Sequence, residues 1–499
     1  MTEQNLQDPP MESNTHGLQR RLTGRQLSMI GLGGAIGTGL FLGSGLAISQ
    51  AGPSTILAYI VCGLVALVIA WALAEMVVVH PTAGAFGVLA HSYIGRWAGF
   101  VVRWTYWAIQ CIAIGGEVIA AGIFVRFWWP EIPLWLTTVV FSVAILGVNA
   151  AAVKLFGQVE YWFAMIKVSA IVAFILLGVA LLFFGLPNRP PVGLDNLTSS
   201  GGFMPNGLEG LLLAMVFVIF SFIGTEVVSV TAAESENPKR DVVRATKSMA
   251  FRLVLFYLIA ITIVLSVIPW TETAQVGSNI TASPFVLVFE AAGIPAAATI
   301  MNFVVLTAAL SSANANLYLT SRMLHSLAAH RYAPQWTGKL SKGGAPARAL
   351  ILSSAGLLLA AIISVVAADT AYLALFGISV FGALVVWILI LVTHLRFRIV
   401  RARHNLPNSP ARLIGAPVTS TLAILFLAAV LISTMFIDGL TSAWMAGVPF
   451  FALLLIAYYF VDKHTRGRAE ERYDPLQEEI DSAANASTIA DAASSEGVR

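Results

Sequence analysis

Apolar runs long enough to cross a bilayer recur along the whole of this 499-residue chain, and no other feature narrows its fold so far. A spanning helix needs about 20 mainly apolar residues. Read with that ruler, the sequence holds twelve candidates, at 27–49, 53–74, 104–125, 134–153, 161–185, 208–233, 250–269, 283–320, 349–368, 371–392, 413–437 and 443–460. The run at 283–320 is long enough for one tilted helix that continues beyond the bilayer. Charge is sparse: 11% of residues are Asp, Glu, Lys or Arg, where a soluble domain carries about 25%. So much apolar sequence cannot be covered by water, and the expected solvent is lipid. The fold class is therefore an all-α integral membrane protein of about 12 transmembrane helices.

The basic residues set the orientation. With both termini cytoplasmic, 26 of the 29 lysines and arginines fall in cytoplasmic segments. Only Arg126 and Arg189 fall in external loops, and Lys167 lies inside a span. This asymmetry predicts an even number of spans with N- and C-termini inside. The net charge of +3 is small and does not cluster on a polar domain, so no nucleic acid partner is expected. Residues 1–26 read as a polar cytoplasmic tail with no cleaved signal peptide. Residues 27–461 form the transmembrane domain, and 462–499, rich in Glu, Ala and Ser, read as a disordered cytoplasmic tail. The stretch from Glu75 to Arg103 reads as a polar cytoplasmic connection, partly in the interface. Cys62 and Cys111 sit in apolar runs as small hydrophobes, with no metal-ligand spacing.

Two spans carry weak points. The first holds five glycines in nine residues, Gly31 to Gly39, and each costs helix stability relative to Ala. One reading is close packing through small residues. The other is a helix that unwinds near the midplane, leaving N–H groups that lipid cannot satisfy but a bound carboxylate can. The sixth span offers a counterpart at Phe220, Ser221, Phe222, Ile223, Gly224, Thr225 and Glu226. These are the first spans of two successive five-helix blocks, about 27–186 and 207–396, with 413–461 as additional helices. Breaks at corresponding positions of two halves point to a transport site.

Charges inside spans are functional candidates by default. Glu117 lies among small residues, Lys167 in the fifth run and Glu226 at the second break. Each could instead pair within the fold. Burial disfavours the charged form of an ammonium, so Lys167 could release a proton during a cycle; from near its helix end it could alternatively snorkel to the interface. Ser311, Ser312, Asn314 and Asn316 either bond across helices or line a path.

These motifs resemble a known family. Gly33 to Phe41 followed by Ala51-Gly52-Pro53, Glu160 to Lys167, Phe220 to Glu226, Ala232 to Pro238, and Ser311 to Asn314 with Thr320 to Leu324 are similar to signatures of the amino acid permeases of the amino acid–polyamine–organocation superfamily. Gly201 to Gly207 and the sixth helix look most like the γ-aminobutyrate permeases. The resemblance spans about residues 22–462. It implies a LeuT-like core of two inverted five-helix repeats plus two helices, and proton-coupled amino acid uptake by alternating access. It implies that Ala35, Ile36, Gly37, Thr38 and Gly39 meet a substrate carboxylate, and that carbonyls of Phe220, Ser221, Phe222 and Ile223, beside Gly224, meet its amino group. Glu117 and Glu226 match positions near substrate. Lys167 matches a lysine that replaces a coupling cation, with Ser311, Ser312 and Asn314 in the same coupling group.

The expected function is proton symport of a neutral or zwitterionic amino acid such as γ-aminobutyrate across the inner membrane. An exchanger or a cationic amino acid permease is the alternative, and a channel or nutrient sensor a more distant one. Neither cofactor nor metal is implied. No selectivity loop, nucleophile–base set or appended soluble domain argues for a channel, an enzyme or a sensor.

Overall fold

The computed structural model describes residues 36–82, 84–150, 153–185, 190–231, 235, 237–279, 283–291, 293, 295–341, 346–368, 370–437, 440–465 and 474–496. Gly31 to Ala35, at the start of the first span, lie outside the described residues.

The chain is built from helices. A π-helical turn at Gly39–Gly43 runs into α1 (Ser44–Ala51). Gly52, at φ 59°, then turns the chain into α2 (Thr55–Val77), a conformation glycine adopts without steric cost. α3 (Ala85–Tyr93), α4 (Arg96–Val125), α5 (Leu134–Ala150) and α6 (Val153–Phe183) complete the first half. The second half opens with α7 (Gly207–Phe222), α8 (Val227–Thr231) and α9 (Pro238–Leu253). A second π-helical segment, Val254–Ile259, leads into α10 (Ala260–Val267). Then come α11 (Trp270–Asn279), α12 (Pro284–Ala291), α13 (Pro295–Ala329), α14 (Ala347–Ser353), α15 (Ala355–Val366) and α16 (Ala371–Arg403). α17 (Val418–Ser433), α18 (Thr441–Thr465) and α19 (Pro475–Glu496) end the chain. Among the described residues nine apolar stretches are long enough to span a bilayer, with two shorter apolar helices besides.

Burial sorts these helices into a centre and a lipid-facing rim. The apolar window of α4 is 83% buried, whereas that of α18 is 11% buried. α4 packs along α13 and α16, and α1 packs along α7. Small residues permit the closest approaches: a Cβ on Gly115 of α4 would sit 2.8 Å from the Gly356 carbonyl at the start of α15. Without a strong hydrophobic drive between helices in lipid, such contact is what holds the bundle. Outside it, Val143, Leu425 and Met445 are exposed, as lipid-facing side chains should be.

Three expectations change. The stretch 283–320 is two helices, α12 and α13, separated at Gly293, whose φ of 72° ends the first. The polar connection from Glu75 to Arg103 contains α3, whose side chains are mostly buried between α2, α4 and α16. The tail at 462–499, expected to be disordered, carries α19. Leu476 is buried there, and Glu479 pairs with Arg401 through both its oxygens, at 2.5 and 2.9 Å. Composition predicted a solvated tail; two local contacts anchor it.

Candidate functional site

The sixth span breaks where its glycine falls. α7 ends at Phe222, Ile223 is extended at φ −62° and ψ 135°, and Gly224 has φ 105°. Helix resumes at Val227. The buried carboxylate of Glu226 accepts the Gly224 N–H at 3.1 Å and the Tyr106 hydroxyl at 3.2 Å. Gln110 Nε2 in turn donates to the Tyr106 oxygen at 3.0 Å. Glu226 thus satisfies a peptide group that the break leaves without a helical partner, which lipid could not do.

In the first span Ile36 and Gly37 form a bend before the π-helical turn. Such turns recur at functional sites. The Thr38 N–H donates to Glu117 at 3.3 Å, and the Ile36 carbonyl accepts Lys167 Nζ at 3.0 Å. The lysine is completely buried, which removes the snorkelling alternative. The glycines set the spacing: a Cβ on Gly39 would lie 2.7 Å from Ser221 Cα, and one on Gly37 would lie 2.8 Å from Ser312 Oγ and 2.9 Å from Glu117. The two weakened segments therefore touch each other.

Around them lies a buried polar cluster. Ser312 Oγ donates to Glu117 at 2.9 Å. Ser311 Oγ donates to Glu160 at 2.6 Å, and Asn314 Nδ2 reaches its second oxygen at 3.5 Å. Asn149 Nδ2 donates to Asn314 Oδ1 at 2.7 Å. Lys167 lies within electrostatic reach of both Glu160 and Glu117. Glu160 is a charge that the sequence reading passed over. It precedes Lys167 by two helical turns, so the two share one face, and that spacing is the signal that reveals it.

A small cavity, with room for little more than a water molecule, opens between the broken segments. Of the residues singled out from sequence, Gly37, Gly39, Glu117, Phe220, Ser221, Ile223, Ser312 and Asn316 line it. Gln110 and Ala113 line it as well. Gln110 gave no signal as part of a site, whereas Asn316, expected to line a path or bond across helices, follows Ser312 by one turn along the same helix face and lines the cavity with it. Ile36 and Thr38 act through backbone bonds to Lys167 and Glu117. Phe222 turns away and stacks on Tyr257, ring centroids 5.1 Å apart. Gly224 and Glu226 form the break behind the wall, Ser311 and Asn314 hold Glu160, and Ala35 lies outside the described residues.

Comparison with known proteins matches the chain to one family. The amino acid permease family profile matches residues 26–468. The γ-aminobutyric acid permease of Bacillus subtilis is 40% identical over 90% of this chain and 94% of its own length. The aromatic amino acid transport protein AroP of Escherichia coli K12 is 39% identical over 91% and 98%. A probable threonine/serine transporter, YbxG of B. subtilis, is 38% identical over 89% and 95%. With its apolar spans and a match over most of its length, this chain belongs to the amino acid permease family of the amino acid–polyamine–organocation superfamily: a multi-pass membrane transporter of amino acids rather than an enzyme.

Proposed function

We propose that the protein is a proton-coupled symporter of a neutral or zwitterionic amino acid, γ-aminobutyrate being the first candidate, working by alternating access in the inner membrane. One observation carries the reading. A completely buried ammonium, Lys167, bonds the Ile36 carbonyl at the first break, two residues from the Thr38 N–H that holds Glu117. A zwitterion completes such a site. Its carboxylate takes the N–H groups near Gly37 to Gly39, and its ammonium takes carbonyls near Phe220 to Ile223 together with Glu117. The Thr38–Glu117 bond, at 3.3 Å, is long enough to yield to a stronger acceptor. Loss and gain of a proton at Lys167, with Ser311, Ser312 and Asn314 shaping its carboxylate neighbours, then biases the bundle between its two openings.

Among the described residues, nine long apolar stretches, the first bent into two legs at Gly52, and two shorter apolar helices support twelve crossings. Those crossings fit two five-helix repeats plus two helices, with both termini inside by the basic-residue asymmetry. Identity to relatives named for γ-aminobutyrate and for aromatic amino acids supports amino acid cargo of either shape.

The experiment is uptake into proteoliposomes against a panel of radiolabelled amino acids including γ-aminobutyrate. The expected result is accumulation driven by an inwardly directed proton gradient and collapsed by protonophore, with Lys167→Ala losing gradient-driven accumulation. Accumulation indifferent to the gradient, with counterflow alone, means exchange and removes the coupling.

A further inference from the structure

The helix break that makes the cavity also strands a carbonyl, and a tyrosine has taken it. In an unbroken helix the Ser221 carbonyl accepts the N–H of Thr225. Here the Thr225 N–H donates to Phe222 instead, at 3.3 Å. The Tyr257 hydroxyl replaces it, donating to the Ser221 carbonyl at 3.0 Å. A second buried tyrosine, Tyr59 of α2, places its hydroxyl 3.2 Å from Ser221 Oγ. Tyr257 itself sits on the π-helical segment Val254–Ile259, the kind of irregularity that recurs where function needs a side chain re-aimed.

Ser221 is held from two sides. On one side Gly39 comes so close that a Cβ would meet Ser221 Cα at 2.7 Å. On the other, an apolar fissure of about 110 Å³ lies along Tyr59, Gly63, Leu64, Phe222 and Tyr257. With that space behind it, the segment could draw back from Gly39 and from the cavity. Besides the rings of Phe222, Tyr257 and Tyr59, which pack on one another, what opposes this are the two hydroxyl bonds. Ser221 lines the cavity with its neighbours Phe220 and Ile223, so its position sets where the carbonyls of the second break face a bound molecule.

We propose that Tyr257, assisted by Tyr59, is a positioning residue for recognition of the substrate's amino group, acting through Ser221. The inference rests on the amino acid transport reading above. A carbonyl has two lone pairs, so the Ser221 oxygen bonded by Tyr257 keeps one for the cargo.

The test uses full-length protein in proteoliposomes and the panel member that the wild type takes up best, with its deaminated counterpart as competitor: butyrate for γ-aminobutyrate, or 3-phenylpropionate for phenylalanine. Tyr257→Phe keeps the ring stacked on Phe222 and removes only the hydroxyl. Losing one neutral hydrogen bond predicts a KM raised roughly 5–10-fold with maximal rate within about two-fold. Tyr59→Phe gives a smaller rise in the same direction. The deaminated competitor, which has no amino group to place, inhibits wild type and Tyr257→Phe equally. A wild-type KM in Tyr257→Phe overturns the proposal. So does a fall in maximal rate at unchanged KM, or equal weakening of the deaminated competitor, since each makes the tyrosine merely structural. A wild type that takes up no panel member overturns the transport reading instead, whatever the variants do.

Discussion

Glu75 and Glu117 are both carboxylates buried among apolar helices, yet their surroundings differ in kind. Glu75, at the end of α2, accepts Arg398 Nε at 2.9 Å and Nη2 at 2.7 Å, the Leu413 N–H at 2.7 Å, and has His394 Nε2 3.1 Å away. Even its backbone carbonyl accepts Ser409 Oγ, at 2.7 Å. Arg398 extends the net to the carbonyls of Ala416 and Leu413, at 3.0 and 2.9 Å. Glu117 has the Ser312 hydroxyl and one long bond from the Thr38 N–H, and it faces the cavity. A charge met by four donors, three of them on one oxygen, ties α2, α16 and the following loop into one arrangement. A charge held by few and replaceable partners, beside an opening, keeps capacity for a ligand. Burial alone does not distinguish the two cases; the count of committed partners does.

That contrast breaks most decisively at the lock. Removing one partner of a buried pair leaves the other charge uncompensated, at a cost of roughly 3–5 kcal/mol. Arg398→Ala should therefore strand Glu75 and lower the thermal unfolding midpoint in detergent more than any change at Glu117. If Arg398→Ala unfolds like wild type, Glu75 is not the lock described. Glu117→Gln is the next effect in size and of a different sort. Loss of a charge-assisted bond, worth about 1.5–3 kcal/mol, predicts transport efficiency down roughly 10–100-fold with the unfolding midpoint little changed. A variant that keeps full uptake but unfolds early would place Glu117 with Glu75 on the structural side.

How far the sequence foretold this depends on which residues are asked about. Gly37, Gly39 and Gly224 were legible because a glycine deep in a span costs helix stability and must be compensated by close approach or unusual φ, and the structure gives each such a contact or conformation. Lys167 was legible as a charge in lipid. Glu160 was not, because it sits at the start of its run and looks like a span-end residue until its two-turn spacing from Lys167 is noticed. Gln110, Tyr59 and Tyr257 were illegible: a polar amide or a tyrosine in a span is ordinary, and only the fold brings them to Ser221 and Tyr106. Arg398 and Arg401 were read only as orientation signals. With His394 they fall at i, i+4 and i+7 on one face of α16, where the structure sets them against Glu75 and Glu479. Composition misjudged the tail because two residues, Leu476 and Glu479, are too few to alter an average.

The end of the bundle that holds Glu75 also offers a weaker version of the same lock. Glu479 of α19 pairs with Arg401 at 2.5 Å and lies 3.3 Å from His80, but its side chain is 23% exposed against 4% for Glu75. Solvent screening reduces such a pair toward the surface range of under about 1 kcal/mol, so Glu479→Gln should shift the unfolding midpoint far less than Arg398→Ala. Its signature is pH. His80, between α2 and α3, is held down to about 4 chiefly by burial, with Glu479 opposing, Arg401 adding to the depression and Asp474 opposing; Tyr93 hydroxyl is 2.8 Å from its ring. A histidine depressed in the folded state favours folding fully above its ordinary value near 6.5. That contribution is lost as pH falls from there toward 4, because the unfolded chain takes up the proton first. Comparing the unfolding midpoint of wild type and His80→Gln from pH 7.5 to 4.5 isolates the effect, since the carboxylates titrate in both. The expected outcome is a steeper acid loss in wild type than in His80→Gln. Parallel curves would mean that His80 ionises as freely in the folded protein as in the unfolded chain, and that this end of the bundle is wetter than its burial implies.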